Sequence, residues 1–358
     1  MESKMRSSRL GIVVLIAFAV LLTTNCTYYS RVMSRKNLVD GSTAYKGRKF
    51  EAAQELFRKA AARDPEGTTL EGRTAQLFLA RTLHQRYSAA RGNPEFAEQA
   101  IVEYNKAIPQ FVREFADAKA AYDANPSGTA EQKRYRTALS DLNSSASAVS
   151  SLNVALERGD VATEWQRQLA AGDQYPGTAR ARAIVSLGLE NNSCANDITN
   201  NEKVKKTVKV DGKDVFQFSK PENPEDLTKL QKCVADCTKL FDQAYALETD
   251  VVKTAGNVDI KTLNDDQLAI LEESIVSFES ARSYRASIAV QAARLAEMEG
   301  NPNLAAAKAE ADKRKMESDQ LKKVVGAIKI EKDARLAAAQ AAAEAALTGG
   351  NTNANTAK

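Results

Sequence analysis

Residues 37–65 read NLVDGSTAYKGRKFEAAQELFRKAAARDP, and side-chain size along them follows a spacing that paired helices explain. Ala53, Phe57 and Ala60 stand four and three residues apart, so they share one face of a helix. Gly41 falls where a second helix has to cross closely. Phe50 and Phe57 fill the gap between the two, and Pro65 closes the unit. One helical hairpin cannot bury its own apolar face, so further hairpins are expected beside it.

Outward from this stretch, Leu70 to Arg91 predicts a long helix with Leu77, Ala80, Leu83 and Tyr87 on one stripe. Asn93-Pro94 then starts the next, a capping residue followed by a proline in the first turn. There Ala100, Tyr104 and Ala107 reproduce the spacing of Ala53, Phe57 and Ala60. The pattern over Asn37–Pro65 resembles a tetratricopeptide repeat, and Glu71–Ile108 resembles a second, lengthened one. That resemblance implies an all-α, irregular array of helical hairpins. It gives Gly41, Phe50, Ala53, Phe57, Ala60 and Pro65 a packing role. It also offers Asn37, Asp40, Ala44 and Arg48 of the first helix as contacts for a bound protein segment.

Further along, Pro109 is read as opening another helix through Phe111, Phe115, Ala118 and Tyr122. Thr129 with Gln132 has the capping-box spacing before a helix carrying Leu139, Leu142, Val149 and Leu152. A third pair is expected over Val161–Ala171 and Arg180–Leu189, with Trp165 as core. From Asn191 to Glu225 the helical rhythm breaks. Val208 and Val210 alternate with lysine up to Asp211-Gly212, and Val215, Phe216 and Phe218 follow, which predicts a two-residue β-hairpin. A lone ribbon is marginal, so it must lie on helices through its Val/Phe face or be clamped at its base. The organisation expected is a helical array over 34–190, a hairpin insertion over 191–224, a helical region over 225–347 and a disordered tail over 348–358.

The N-terminus reads as an address. Lys4, Arg6 and Arg9 precede an uncharged apolar run, Leu10 to Leu22, which ends just before Cys26. A basic start and a short apolar run make a signal peptide or signal anchor over 1–25, with 26–33 as a tether. The run is shorter than the ~20 residues of a spanning helix. A cysteine in this place resembles the lipid-attachment site of bacterial lipoproteins, although Thr23 and Asn25 depart from the usual residues before it. Lipidated Cys26, an uncleaved anchor and plain secretion all put the remainder outside the cytoplasm. With the repeat, the resemblance is to periplasm-facing, membrane-anchored envelope scaffolds that bind other envelope proteins.

Composition narrows the chemistry. The 358 residues are 43% hydrophobic, with 50 basic against 46 acidic residues and a net charge of +4, which is no nucleic-acid-binding pattern. His84 is the only histidine, removing most general-base, triad and zinc chemistries, so no enzyme, metal or cofactor is expected. The alternative is a glycan-binding factor or an enzyme using two carboxylates across a pocket. Cys194 can pair with Cys233 or Cys237 at the hairpin base, or the two helical cysteines can serve as small core residues. A metal site joining the three to His84 lacks any common spacing. Lys203, Lys205, Lys206, Lys209 and Lys213 read as edge protection on the ribbon. Palmitate labelling of the intact protein, lost on Cys26→Ala, is the outcome expected for lipid attachment; an unlabelled original chain leaves the signal anchor.

Overall fold

The computed structural model describes residues 28–90 and 92–349; the apolar run, Cys26 and the tail beyond 349 lie outside them. The chain is all-α with one two-stranded antiparallel ribbon. Its residues gather into two compact units. The first takes the chain to Ala118 together with Ser144–Ala162; the second takes Lys119–Asn143 and everything from Thr163.

In the first unit α1 (residues 28–46) reverses through Gly47 and Arg48 into α2 (Phe50–Ala61). Arg48 adopts a left-handed φ of 57°, and the Lys49 N–H donates to the Ala44 carbonyl to close the turn. Ala53, Phe57 and Ala60 are fully buried. A Cβ placed on Gly41 would come within 2.8 Å of the Phe57 ring, so only glycine allows α1 this close. Phe57 stacks at 5.3 Å on Phe78 of α3 (Leu70–Ala89). Tyr45 meets Phe50 and Phe78 edge-on at 5.5 and 5.8 Å. Pro65 is exposed in the following loop, where its carbonyl accepts a hydrogen bond from Gln110.

Asp64 organises that loop. Burial pushes its carboxyl up, but hydrogen bonds from the N–H and hydroxyl groups of Thr68 and Thr69 outweigh this and hold it below the ordinary value.

Pro109 does not open a helix. It lies inside α4 (Glu95–Ala124), because the buried stripe Ala100, Tyr104, Ala107, Ile108, Phe111, Phe115 runs through it unbroken, and packing outweighs one missing backbone hydrogen bond. α5 (Thr129–Ala155) begins in the second unit and ends in the first, burying Leu139, Leu142, Val149 and Leu152. The division falls inside helices that a reading of consecutive segments treats as whole.

The second unit contains most of α6 (Gly159–Ala171), then α7 (Gly177–Thr199) and α8 (Pro224–Ala246), a short α9 (Asp250–Lys253), and the long α10 (Asp265–Glu299) and α11 (Leu304–Gly349). α10 packs on α7, α8 and α11. It starts with a capping box between Asn264 and Gln267 and stops at Gly300, which takes a left-handed φ of 64°. α7 runs ten residues beyond the expected end at Leu189. Its polar residues there are paired with α10: Ser287 Oγ donates to Asn192, Thr199 Oγ1 to Gln291, and Gln291 Nε2 to Asn196. Arg282 of α10 is buried with Glu248, donating to both carboxylate oxygens at 2.7 Å, and reaches the Glu317 carbonyl of α11.

α7 and α8 repeat the packing of α1 and α2. Cys237, Phe241 and Ala244 carry the spacing of Ala53, Phe57 and Ala60, and all three are fully buried. A Cβ on Gly188 would lie 2.7 Å from the Phe241 ring. Six residues after Gly41 comes the turn at Gly47, and six after Gly188 comes Cys194; eight before Phe57 stands Lys49, and eight before Phe241 stands Cys233. Phe57→Ala should cost about 3–5 kcal/mol, and Gly188→Val about 1–3 kcal/mol through overpacking. Urea denaturation followed by circular dichroism checks both; two unchanged midpoints would remove these contacts from the account of helix pairing.

Candidate functional site

Where α1 and α2 are joined by one short turn, α7 and α8 are joined by a disulfide. Cys194 on α7 and Cys233 on α8 are bonded across a sequence separation of 39. Among the described residues Cys237 is the free thiol, buried one helical turn beyond Cys233, its S–H directed at the Gly188 carbonyl at 3.4 Å. Burial pushes that thiol up to about 12. Both roles foreseen for these cysteines thus occur, divided between Cys233 and Cys237.

The chain between the bonded cysteines finishes α7 and then forms β1 (Lys205–Val210) and β2 (Lys213–Phe218). Asp211 and Gly212 both take left-handed φ, 49° and 77°, which fixes a two-residue turn and the register Val210 opposite Lys213, Val208 opposite Val215 and Lys206 opposite Gln217. The ribbon is held at its base and not along its face. Val204 and Phe218 are buried, the Phe218 N–H donates to Glu297 at 3.1 Å, and the Arg294 guanidinium lies 4.7 Å over the Phe218 ring. Beyond the base Val210, Val215 and Phe216 are about half exposed, at 50%, 44% and 54%. Lys205 sits 3.9 Å over the Phe216 ring, and Lys209 pairs with Asp214 at 2.9 Å.

The register also says which backbone groups face outward. In a hairpin closed by a two-residue turn, the pair beside the turn exchanges hydrogen bonds and so does every second pair from it. Val210, Val208 and Lys206 therefore bond across to β2, as does Val204, whose carbonyl accepts from Ser219 N–H. Lys205, Thr207 and Lys209 point their backbone groups away from β2. The Lys205 N–H is taken by the Asn201 carbonyl, which leaves Thr207 and Lys209 as the outward donors along β1. On β2 the matching outward N–H of Phe218 is the one occupied by Glu297, so α10 stands beside that edge.

The residues foreseen on the first helix are placed differently from one another. Asp40 and Arg48 are exposed and Ala44 is half-buried, whereas Asn37 is buried. Asn37 is therefore withdrawn as a contact for a partner: it shares the inward face with Ser34 and Gly41. His84 is half-buried in the first unit, with burial pushing it below its ordinary value, and its ring meets Tyr104 edge-on at 6.1 Å. Among the described residues no group of three or more His, Cys, Asp and Glu side chains is placed to hold a metal ion. No helix there is long and apolar enough to cross a membrane.

Two recesses of the second unit bear on the alternative with paired carboxylates. One of about 310 Å³ includes Glu272 and Glu273, but Lys332 holds Glu272, while Arg182 and Asn143 both donate to Glu273 at 2.7 Å. Glutamates so engaged are tied as structural anions. The other, about 500 Å³, is an open groove with an apolar floor of Ala170, Ile184, Leu187, Leu240 and Leu247. Comparison with protein-family models and with curated proteins finds no match to the chain.

Sequence reasoning missed the second Gly/Phe pair, although the Cys237-x3-Phe241-x2-Ala244 spacing was there to be read. It had no local signal for Arg282 with Glu248, partners far apart in the chain. Replacing Cys194 and Cys233 by serine should lower stability by about 4 kcal/mol on the loop-entropy account and speed amide exchange in the ribbon first. Cys237 should resist iodoacetamide at pH 8 until the protein unfolds. Rapid alkylation of native protein there would contradict its burial.

Proposed function

We propose that this chain is a non-enzymatic scaffold of the bacterial cell envelope, tethered to a membrane at its N-terminus, which takes up an extended segment of another envelope protein. The observation that carries this reading is the stapled ribbon: a two-stranded element held only at its base, with half-exposed valine and phenylalanine side chains and a free backbone edge. A lone ribbon of this length is marginal in water, and here a covalent clamp and a buried base keep it in place. Such an edge recognises a partner by adding a strand, main chain to main chain, with alternate side chains giving specificity.

The edge favoured is that of β1, because α10 stands beside β2. Lys206, exposed beside that edge, suits a partner segment in which acidic residues alternate with apolar ones. The two helix pairs built on the same glycine, phenylalanine and alanine spacing support a tetratricopeptide-like frame for this element. The tether rests on the basic start, the apolar run and Cys26 of the sequence.

Proline at an outward position removes a free N–H without touching the ladder. Thr207→Pro and Lys209→Pro should each weaken partner binding about tenfold, the loss expected for one to two hydrogen bonds. A photo-crosslinker at Lys206 in living cells should give discrete adducts that map to one extended segment and fade in both variants. Adducts that persist unchanged, or that form equally from Lys239 on α8, would move the docking surface elsewhere.

A further inference from the structure

α1 carries two faces. Ser34, Asn37 and Gly41 turn inward, while on the far side Tyr28, Val32 and Val39 are 72%, 46% and 57% exposed. With Arg35 they fall at steps of four, three and four, one continuous stripe along the helix. Tyr29, 61% exposed, borders it. The charges on α1 are one-sided: Arg31, Arg35, Lys36 and Lys46 against the single carboxylate of Asp40. Arg31 reaches the largely buried Glu71, Lys36 meets Asp40 at the surface, and Arg35 is exposed on the stripe itself.

We infer that this stripe is a lipid-binding surface, and that α1 lies flat in the headgroup region of an anionic membrane. The inference rests on the tethered reading above. Chain length then fixes where α1 must be: the apolar run ends at Leu22, six residues before Tyr28, so Tyr28 stays within ~20 Å of it even in a fully extended chain. Cys26 is closer still, two residues away. Tyrosines are suited to the membrane–water boundary because the ring is apolar and the hydroxyl wet. Valines beneath and cations beside them make the pattern of an interfacial helix, which sinks its apolar side and meets lipid phosphates with its basic one. The tether alone would leave α1 free to stand at any angle. The stripe prescribes one, since Val39 lies ~16 Å along the helix from Tyr28 and reaches the lipid only if α1 lies down.

The test uses the full chain reconstituted into vesicles of phosphatidylethanolamine and phosphatidylglycerol with brominated acyl chains. Trp165→Phe removes the only native tryptophan, and single tryptophans are placed by Tyr28→Trp, Val32→Trp, Val39→Trp and, as a control, Lys209→Trp on the ribbon. The inference expects blue-shifted emission and loss of fluorescence at all three stripe positions, and neither at the control. Quenching at Tyr28→Trp that fades to nothing at Val39→Trp means an upright helix and overturns it. A blue shift without quenching means that protein, either the apolar run folded back or a second copy, covers the stripe, and also overturns it. In both cases the vesicles still carry the protein and the tether stands. Protein that does not sediment with the vesicles at all removes the tethered reading and this inference with it.

Discussion

A phenylalanine ring laid on a glycine sets the distance between paired helices in both units. Phe57 on Gly41 and Phe241 on Gly188 are contacts in which any Cβ would stand inside van der Waals distance of the ring. The ring is among the largest fully buried side chains, and the glycine lets the backbone approach near enough to pack on it. Small residues one turn to either side, Ala53 and Ala60 in one pair and Cys237 and Ala244 in the other, keep the approach close along the interface. Once that contact is fixed, so is the point at which the chain has to return. In the first pair a left-handed Arg48 makes the return. In the second a disulfide occupies the corresponding place, and a whole ribbon intervenes.

The second unit adds polar constraints to this apolar one. Arg282 and Glu248 are both buried, and two parallel hydrogen bonds with a third to α11 satisfy them. Buried ion pairs add little net stability against apolar substitutes, but they penalise any register that separates the partners. Thr199, Gln291 and Asn196 act in the same way between α7 and α10. Arg285 lies 4.1 Å over the Tyr245 ring, and the Arg282 guanidinium approaches the same ring at 5.8 Å. Together these contacts lock α10 against its neighbours where alanine-rich surfaces alone would allow it to slide.

What was legible in the sequence was local. The Ala53, Phe57, Ala60 spacing needs only the helical period, and Asp211-Gly212 needs only the left-handed preferences of its two residues, so both elements could be read from a few neighbouring positions. The start of α4 was legible for the same reason, since Asn93 before Pro94 is a local capping signal and its side chain accepts from the Glu95 N–H. The rest depended on partners distant in the chain. Pro109 looked like a beginning because proline usually is one, and the stripe running through it is decided by what packs on α4. The end of α7 looked like a loop because asparagine and threonine suit loops, and only α10 supplies the groups that bury them. Asn37 looked like surface because it is polar, yet it occupies an inward position of α1. Cys233 and Cys237 stand one turn apart on one helix, and nothing short of α7 in place tells which of them meets Cys194.

The position of the disulfide changes what a cut does to this molecule. A polypeptide normally loses its topology when a connecting loop is nicked, because the loop is the only covalent route between the elements it joins. Between Cys194 and Cys233 there are two routes, one through the backbone of the ribbon and one through sulfur. Cleavage at the exposed Asp211-Gly212 tip would leave α7 and α8 bonded, the Gly188 and Phe241 contact in place and both fragments in one particle. The ribbon's tip is exposed, and its severance is one that the helical frame can survive.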